Sequence, residues 1–169
     1  MRPRTLLRFV AQAMLIAGAA AMVPTAISAA PKSAAPMAFN HFMVAISVAD
    51  LEAETAWYVN NLGFKVAVDT KIGGGTPARW LVNGNERIEL IAVAGSEAGP
   101  ARATPPRHAG IRGFSQVTLE TRDIAAVKAA LAAKGIAPAL DITEVKPLGI
   151  KVMYLVDPEG NAVEIAQRL

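Results

Sequence analysis

The chain predicts an α+β fold made of two copies of one module, and three observations carry that prediction. First, Val44-Ala45-Ile46-Ser47-Val48-Ala49-Asp50, running on to Leu62-Gly63-Phe64, is answered by Val117-Thr118-Leu119-Glu120-Thr121-Arg122-Asp123, running on to Ala133-Lys134-Gly135-Ile136. Second, each stretch opens with the period-2 alternation of a strand, then places an Asp suited to cap a helix that a Gly stops about three turns later. Third, Arg87-Ile88-Glu89-Leu90-Ile91 is answered by Ala162-Val163-Glu164-Ile165-Ala166, a carboxylate between apolar neighbours late in each copy. Burying such a carboxylate is costly unless a donor or a positive charge meets it. One in each half at matching places points to a single shared site.

The first residues stand apart from this pattern. Arg2, Arg4 and Arg8 make a basic start, Phe9 to Val23 is an apolar run broken by Gln12, and Ala26-Ile27-Ser28-Ala29 offers small residues for cleavage. Residues 1–29 therefore read as a secretory signal peptide, too short and weakly apolar for stable membrane insertion. Taking them away removes three arginines and no acid, which brings the net charge of +3 to zero. The basic balance thus gives no support to nucleic acid or an anionic membrane as partner. With no cysteine in the chain, neither disulfides nor thiolate chemistry are open to an exported form, and the bacterial periplasm is the expected compartment.

About 140 residues remain, enough for one domain or for two small halves that share a core. Residues 30–38 read as a flexible mature N-terminus. Phe39 to Val48 alternates as a strand, and Asp50 caps a helix to about Asn61 with Gly63 just beyond. Phe64 to Asp69 and Ala78 to Val82 are strands separated by Gly73-Gly74-Gly75-Thr76-Pro77, a turn or a mobile flap, and Asn83-Gly84-Asn85 makes Ala78 to Val93 a hairpin. The linker is 95–113, rich in Gly, Pro, Ala and Arg. The second copy then runs Phe114 to Thr121, a helix from Asp123 to Gly135, Ala139 to Val145, Lys151 to Val156, and Ala162 to Gln167 after the turn Asp157-Pro158-Glu159-Gly160-Asn161. Neither half covers both faces of its own sheet, so the two combine around one cavity. The triple Gly lacks a Lys-Ser/Thr ending and precedes a strand, which argues against phosphate cradling, and no serine-nucleophile motif is visible.

The ordered set Val48-Ala49-Asp50-Leu51-Glu52, Ala56-Trp57-Tyr58, Leu62-Gly63-Phe64, Arg87-Ile88-Glu89-Leu90 and Asp157-Pro158-Glu159-Gly160-Asn161-Ala162-Val163-Glu164 resembles the vicinal oxygen chelate superfamily. That superfamily includes glyoxalases, extradiol dioxygenases, fosfomycin-resistance enzymes and bleomycin-binding proteins. The likeness spans residues 39–167, with module 1 at 39–94 and module 2 at 114–167. It implies two tandem βαβββ modules that form a curved mixed sheet around a central small-molecule pocket, commonly within a homodimer. The family's metal ligands come from the first and last strands of each module, positions that fall here on Met43, Glu89, Gln116 and Glu164. Members usually place His at first-strand positions, and this chain has none there.

Glu89, Gln116 and Glu164 therefore read as an oxygen donor set for a divalent metal ion, with water completing the shell. The Met43 thioether is a poor ligand for such an ion and reads as pocket wall. Glu89 and Glu164 double as catalytic groups, because two close carboxylates raise at least one pKa and leave a proton to move. His41, two residues before Met43 on the same strand face, is a pocket residue if a bulge brings it closer and a strand-entrance residue otherwise. His108, among Pro105, Pro106 and Arg107, reads as a surface-loop residue, and Trp57 and Tyr58 as core.

The resemblance thus implies an exported, divalent-metal-assisted enzyme, of lyase or isomerase type, moving a proton on a small oxygenated metabolite. The alternative is a non-catalytic small-molecule binding protein of bleomycin-resistance type with a degenerate metal site. An interaction domain with a vestigial pocket is the third reading.

Overall fold

The structure, a computed structural model, describes residues 42–169. The stretch expected to be a signal peptide, residues 1–29, the expected N-terminal segment 30–38, His41 and the first residues of the expected opening strand lie outside them.

The elements follow the doubled order. β1 (Val44–Ser47), α1 (Leu51–Leu62), β2 (Lys65–Ile72), β3 (Thr76–Asn83) and β4 (Glu86–Ile91) make the first module; β5 (Gln116–Glu120), α2 (Ile124–Ala132), β6 (Leu140–Val145), β7 (Ile150–Val156) and β8 (Ala162–Arg168) make the second. Each module is a four-stranded mixed sheet, ordered β1-β4-β3-β2 and β5-β8-β7-β6, with its first strand parallel to its last. The Gly73–Gly75 stretch is a short 3₁₀ turn between β2 and β3.

Both helices start as their sequences predict. The Asp50 carboxylate accepts the backbone N–H groups of Glu52 and Ala53, and the Asp123 carboxylate accepts that of Ala126, satisfying donors that a helix start leaves over. Gly63 ends α1 at φ 71°, a left-handed conformation that a side chain would strain, while its N–H reaches the Tyr58 carbonyl. α2 stops at Ala132, short of the predicted Gly135. There the N–H groups of Lys134 and Gly135 turn back to the carbonyls of Leu131 and Ala132, a tightened i→i−3 turn that closes the helix early.

One core joins the modules. Ile46, Tyr58, Phe64, Leu81, Ile88 and Leu90 from the first pack with Ile124, Leu131, Met153, Leu155, Val163 and Ile165 from the second. Alternation on β4 and β8 therefore sends Ile88, Leu90, Val163 and Ile165 inward, and the Glu between each pair to the other face. Polar ties cross the same boundary: Lys134 Nζ donates to the Asn60 carbonyl, placing a cation at the C-terminal end of α1, which has no basic residue in its own last turn.

The deepest of these ties is acidic. Glu54 on α1 is fully buried, and neither of its carboxyl oxygens has a hydrogen-bond partner among the described residues. Asp157, from the turn between β7 and β8, lies beside it, its oxygens accepting from Tyr58 Oη at 3.2 Å, the Asn161 N–H at 2.7 Å and Asn161 Nδ2 at 3.0 Å. Burial first, and then the Asp157 charge, pushes the Glu54 carboxyl up to about 9 from its ordinary 4.5. With Asp157 supplied by three donors, the proton of the pair belongs on Glu54.

Because the folded protein holds this proton more tightly than the unfolded chain, the associated stability is complete below pH 4.5 and is lost as pH rises towards 9. Thermal melting should show a falling midpoint across that window. Glu54→Gln keeps the shape without the charge, so it should flatten the fall and add about 1–3 kcal/mol near pH 8. Equal slopes for variant and parent would show that Glu54 does not carry the effect.

Candidate functional site

Register fixes what surrounds each of the two strand carboxylates. Across the antiparallel β3–β4 and β7–β8 ladders, Trp80 stands opposite Glu89 and Tyr154 opposite Glu164. Across the parallel pairs, Ala45 stands opposite Glu89 and Thr118 opposite Glu164. The modules thus set the same frame around each Glu and fill it with different chemistry.

Around Glu164 the frame is polar and closed. Its side chain is buried, with one oxygen accepting from Tyr154 Oη at 2.6 Å and the other from Thr118 Oγ1 at 2.7 Å and Gln116 Nε2 at 2.8 Å. With the Gln116 amide nitrogen committed to Glu164, its Oε1 faces His108 Nε2 at 2.7 Å, so that nitrogen carries the proton and donates. The His108 ring tilts over Tyr154 with centroids 4.9 Å apart, and its Nδ1 has no partner among the described residues. Burial, and then the bond to Glu164, pushes the Tyr154 hydroxyl up to about 12.

His108 is therefore not the surface-loop residue that its neighbours suggest. It is only 4% exposed, because the linker turns back over the second sheet in a short 3₁₀ turn at Arg107–Gly110 and buries Pro105 as well. An amide oxygen below and an aromatic face beside it make the burial tolerable.

Around Glu89 the frame is open. The carboxylate accepts from Trp80 Nε1 at 2.8 Å, while Ala45 and Met43 offer it no donor, and Trp80 and Met43 are each 37% exposed. Among the described residues no hydrogen bond joins this half to the Gln116–Glu164 network, and no three His, Asp or Glu side chains gather in a way that would hold a metal ion. Of the residues singled out from the sequence, the structure brings Gln116 and Glu164 together and leaves Glu89 with Trp80.

A crevice of about 430 Å³ opens where the free edges of β1 and β5 meet. Residues 42–47 form one wall and Phe114 to Val117 the other, with Arg102 from the linker and Asn161 at the ends. Met43 and Gln116 line it; Glu89 and Glu164 do not. Its size falls within the range of small-molecule sites.

The donors do not fit a divalent-ion centre in this arrangement. Both Glu164 oxygens and the Gln116 amide oxygen already accept hydrogen bonds, the fourth position is a thioether, and Glu89 is engaged elsewhere. Thr118, Tyr154 and Arg102 are site residues that the sequence reading did not single out. The first two had a signal, since the turn at Asp157–Asn161 fixes the ladder that sets Tyr154 against Glu164, and parallel pairing sets Thr118 there too. Arg102, in a stretch without periodicity, had none.

The model of the Glyoxalase/Bleomycin resistance protein/Dioxygenase superfamily matches residues 38–165. Among solved structures, the chain is similar to a glyoxalase family protein from Enterococcus faecalis at 22% identity and a TM-score of 0.59, covering 77% of this chain and 97% of that one. It is also similar to a glyoxylase/bleomycin resistance protein/dioxygenase domain from Frankia sp. EAN1pec at 20% identity and a TM-score of 0.60, covering 80% and 94%. A glyoxalase I mutant from Zea mays matches at 18% identity and a TM-score of 0.60, over 75% of this chain and 44% of that one. At such identities the likeness speaks for the fold alone. A comparison with curated proteins finds no match.

The unequal frames predict unequal costs. Tyr154→Phe strips a donor from a buried carboxylate and should cost about 1–3 kcal/mol in denaturant unfolding, whereas Trp80→Phe at the matching open position should cost less than about 1 kcal/mol. Equal losses would mean that the two carboxylates are equally dependent on their aromatic partners.

Proposed function

The chain belongs to the Glyoxalase/Bleomycin resistance protein/Dioxygenase superfamily, and from that premise we propose that it is an exported small-molecule binding protein. Its ligand lies in the crevice between β1 and β5, and the family's metal corner has become a structural hydrogen-bond cluster. The observation that carries this reading is the commitment of Gln116 and Glu164 to each other, to Thr118, to Tyr154 and to His108. A carboxylate that meets three donors is stabilised as it stands, and a cation binding both its oxygens would have to compete with those donors.

Export is supported by the basic start and apolar run of residues 1–29, which fit a periplasmic destination. Among the described residues no helix is long and apolar enough to cross a membrane. Superfamily members commonly bind small molecules and form dimers, and a homodimer belongs to this proposal.

The metal-assisted enzyme is the second reading, and Glu89 favours it: half-buried, with one oxygen bonded to Trp80, it keeps the other for a ligand or a proton. Under that reading Glu89, Gln116 and Glu164 would have to leave their present partners and converge.

Divalent ions and an apolar probe separate the two. A stabilising ion at one hundred times its dissociation constant adds about 2.7 kcal/mol, several degrees of melting temperature for a domain of this size. Magnesium, manganese, nickel and zinc should produce no such shift. Nile red, neutral and apolar, should bind once per chain and be excluded by Ala45→Trp, which fills the crevice from β1. An ion-dependent rise that Glu164→Gln abolishes would instead establish the metal-assisted reading.

A further inference from the structure

Arg102 is out of keeping with the walls around it. It comes from the linker and lines a crevice otherwise walled by β1, Phe114 to Val117, Asn161 and Ala162, with no Asp or Glu among the lining residues. Among the described residues it takes part in no salt bridge, although Arg79 and Arg168 both do. Its one hydrogen bond runs from Nη1 to the Ile111 carbonyl at 3.1 Å, a contact inside the linker itself. A guanidinium has five N–H donors in a planar fork that matches a carboxylate, and most of this fork is uncommitted.

The surroundings describe the rest of the ligand. Phe42 and Phe114, 79% and 82% exposed, stand at the two strand entrances, and Met43 lines the same crevice. Large apolar side chains held this open gain most by covering an apolar body. A cation in a mostly apolar cleft sits where the local dielectric strengthens its attraction for an anion beyond what a fully solvated arginine offers. One cation matches one negative charge; a doubly charged phosphate ester would leave a charge uncompensated against apolar walls.

We propose that the crevice selects an apolar molecule carrying a single carboxylate, with Arg102 receiving the carboxylate and the Phe42, Met43 and Phe114 side chains covering the apolar part. This rests on the binding reading above, and it names the class of ligand that the same crevice takes.

Calorimetric titration of the purified protein with two matched pairs tests it: 4-phenylbutyrate against 4-phenylbutan-1-ol, and octanoate against octan-1-ol. Each acid should bind roughly tenfold more tightly than its alcohol, the scale of one charge-assisted hydrogen-bonded contact. Arg102→Gln should remove that preference by bringing the acids' affinity down to that of the alcohols, and an unchanged thermal melting midpoint shows that the variant is folded. Equal affinity of acid and alcohol, or a preference that survives Arg102→Gln, overturns the anionic ligand while the binding reading stands. No saturable binding of any of the four probes or of Nile red overturns both.

Discussion

A carboxylate on a middle strand of the second sheet, turned away from the joint core and still shielded from water, is the constraint from which the rest of this site follows. Glu164 cannot be left without donors in that position, since desolvating an ionised group is worth more than any one packing contact. The protein meets the demand from three directions at once: Tyr154 from the neighbouring antiparallel strand, Thr118 and Gln116 from the parallel one. Each donor is placed by backbone register, so the cluster is a product of strand pairing and needs no flexible loop to assemble. His108 then finishes the chain of bonds from outside the sheet. The consequence for function is direct, because Glu164 and Gln116, the ligand positions of this module, are already engaged with their neighbours.

The first module shows what the same scaffold does without that demand. Glu89 occupies the position that corresponds to Glu164, with Trp80 in place of Tyr154, Ala45 in place of Thr118 and Met43 in place of Gln116. Two replacements of polar by apolar groups, at Ala45 and Met43, leave the Trp80 indole N–H as the donor, and the carboxylate stays partly in water, where one donor suffices. Duplication therefore supplied two frames with equal geometry, and side-chain chemistry decided that one would be sealed and the other left open. That division also explains why the crevice lies along the β1 and β5 edges: the second sheet's own face is occupied by the linker.

Most of the architecture could be read in the chain because it rests on local and periodic signals. Asp50, Asp123 and Gly63 act within one turn of their own helix, and strand alternation on β4 and β8 predicts which face each Glu takes. The site was legible only as far as register reaches. Gln116 and Glu164 were chosen from the family likeness and are neighbours in the structure, and Tyr154 and Thr118 follow once the ladders are drawn. Glu89 shows where such inference ends, since a matching position does not say whether opposite carboxylates converge. His108 and Arg102 lie in a stretch whose Gly, Pro and Arg content describes a solvated connection in the absence of any tertiary context; their roles come from how residues 95–113 fold back, which no periodicity encodes. The burial of Glu54 has no local signal for a related reason, because the group beside it, Asp157, belongs to the other module.

The linker is then more than a connection, for it both closes one site and equips the other. Pro105 and His108 fix its centre to the second sheet, and Arg102 is tied to Ile111 across the loop that contains them. A charged side chain on an untethered segment would lose much of its attraction to the entropy of being held in place. Here that ordering accompanies folding, because the His108–Gln116 bond anchors the loop within the span that the Arg102–Ile111 bond closes.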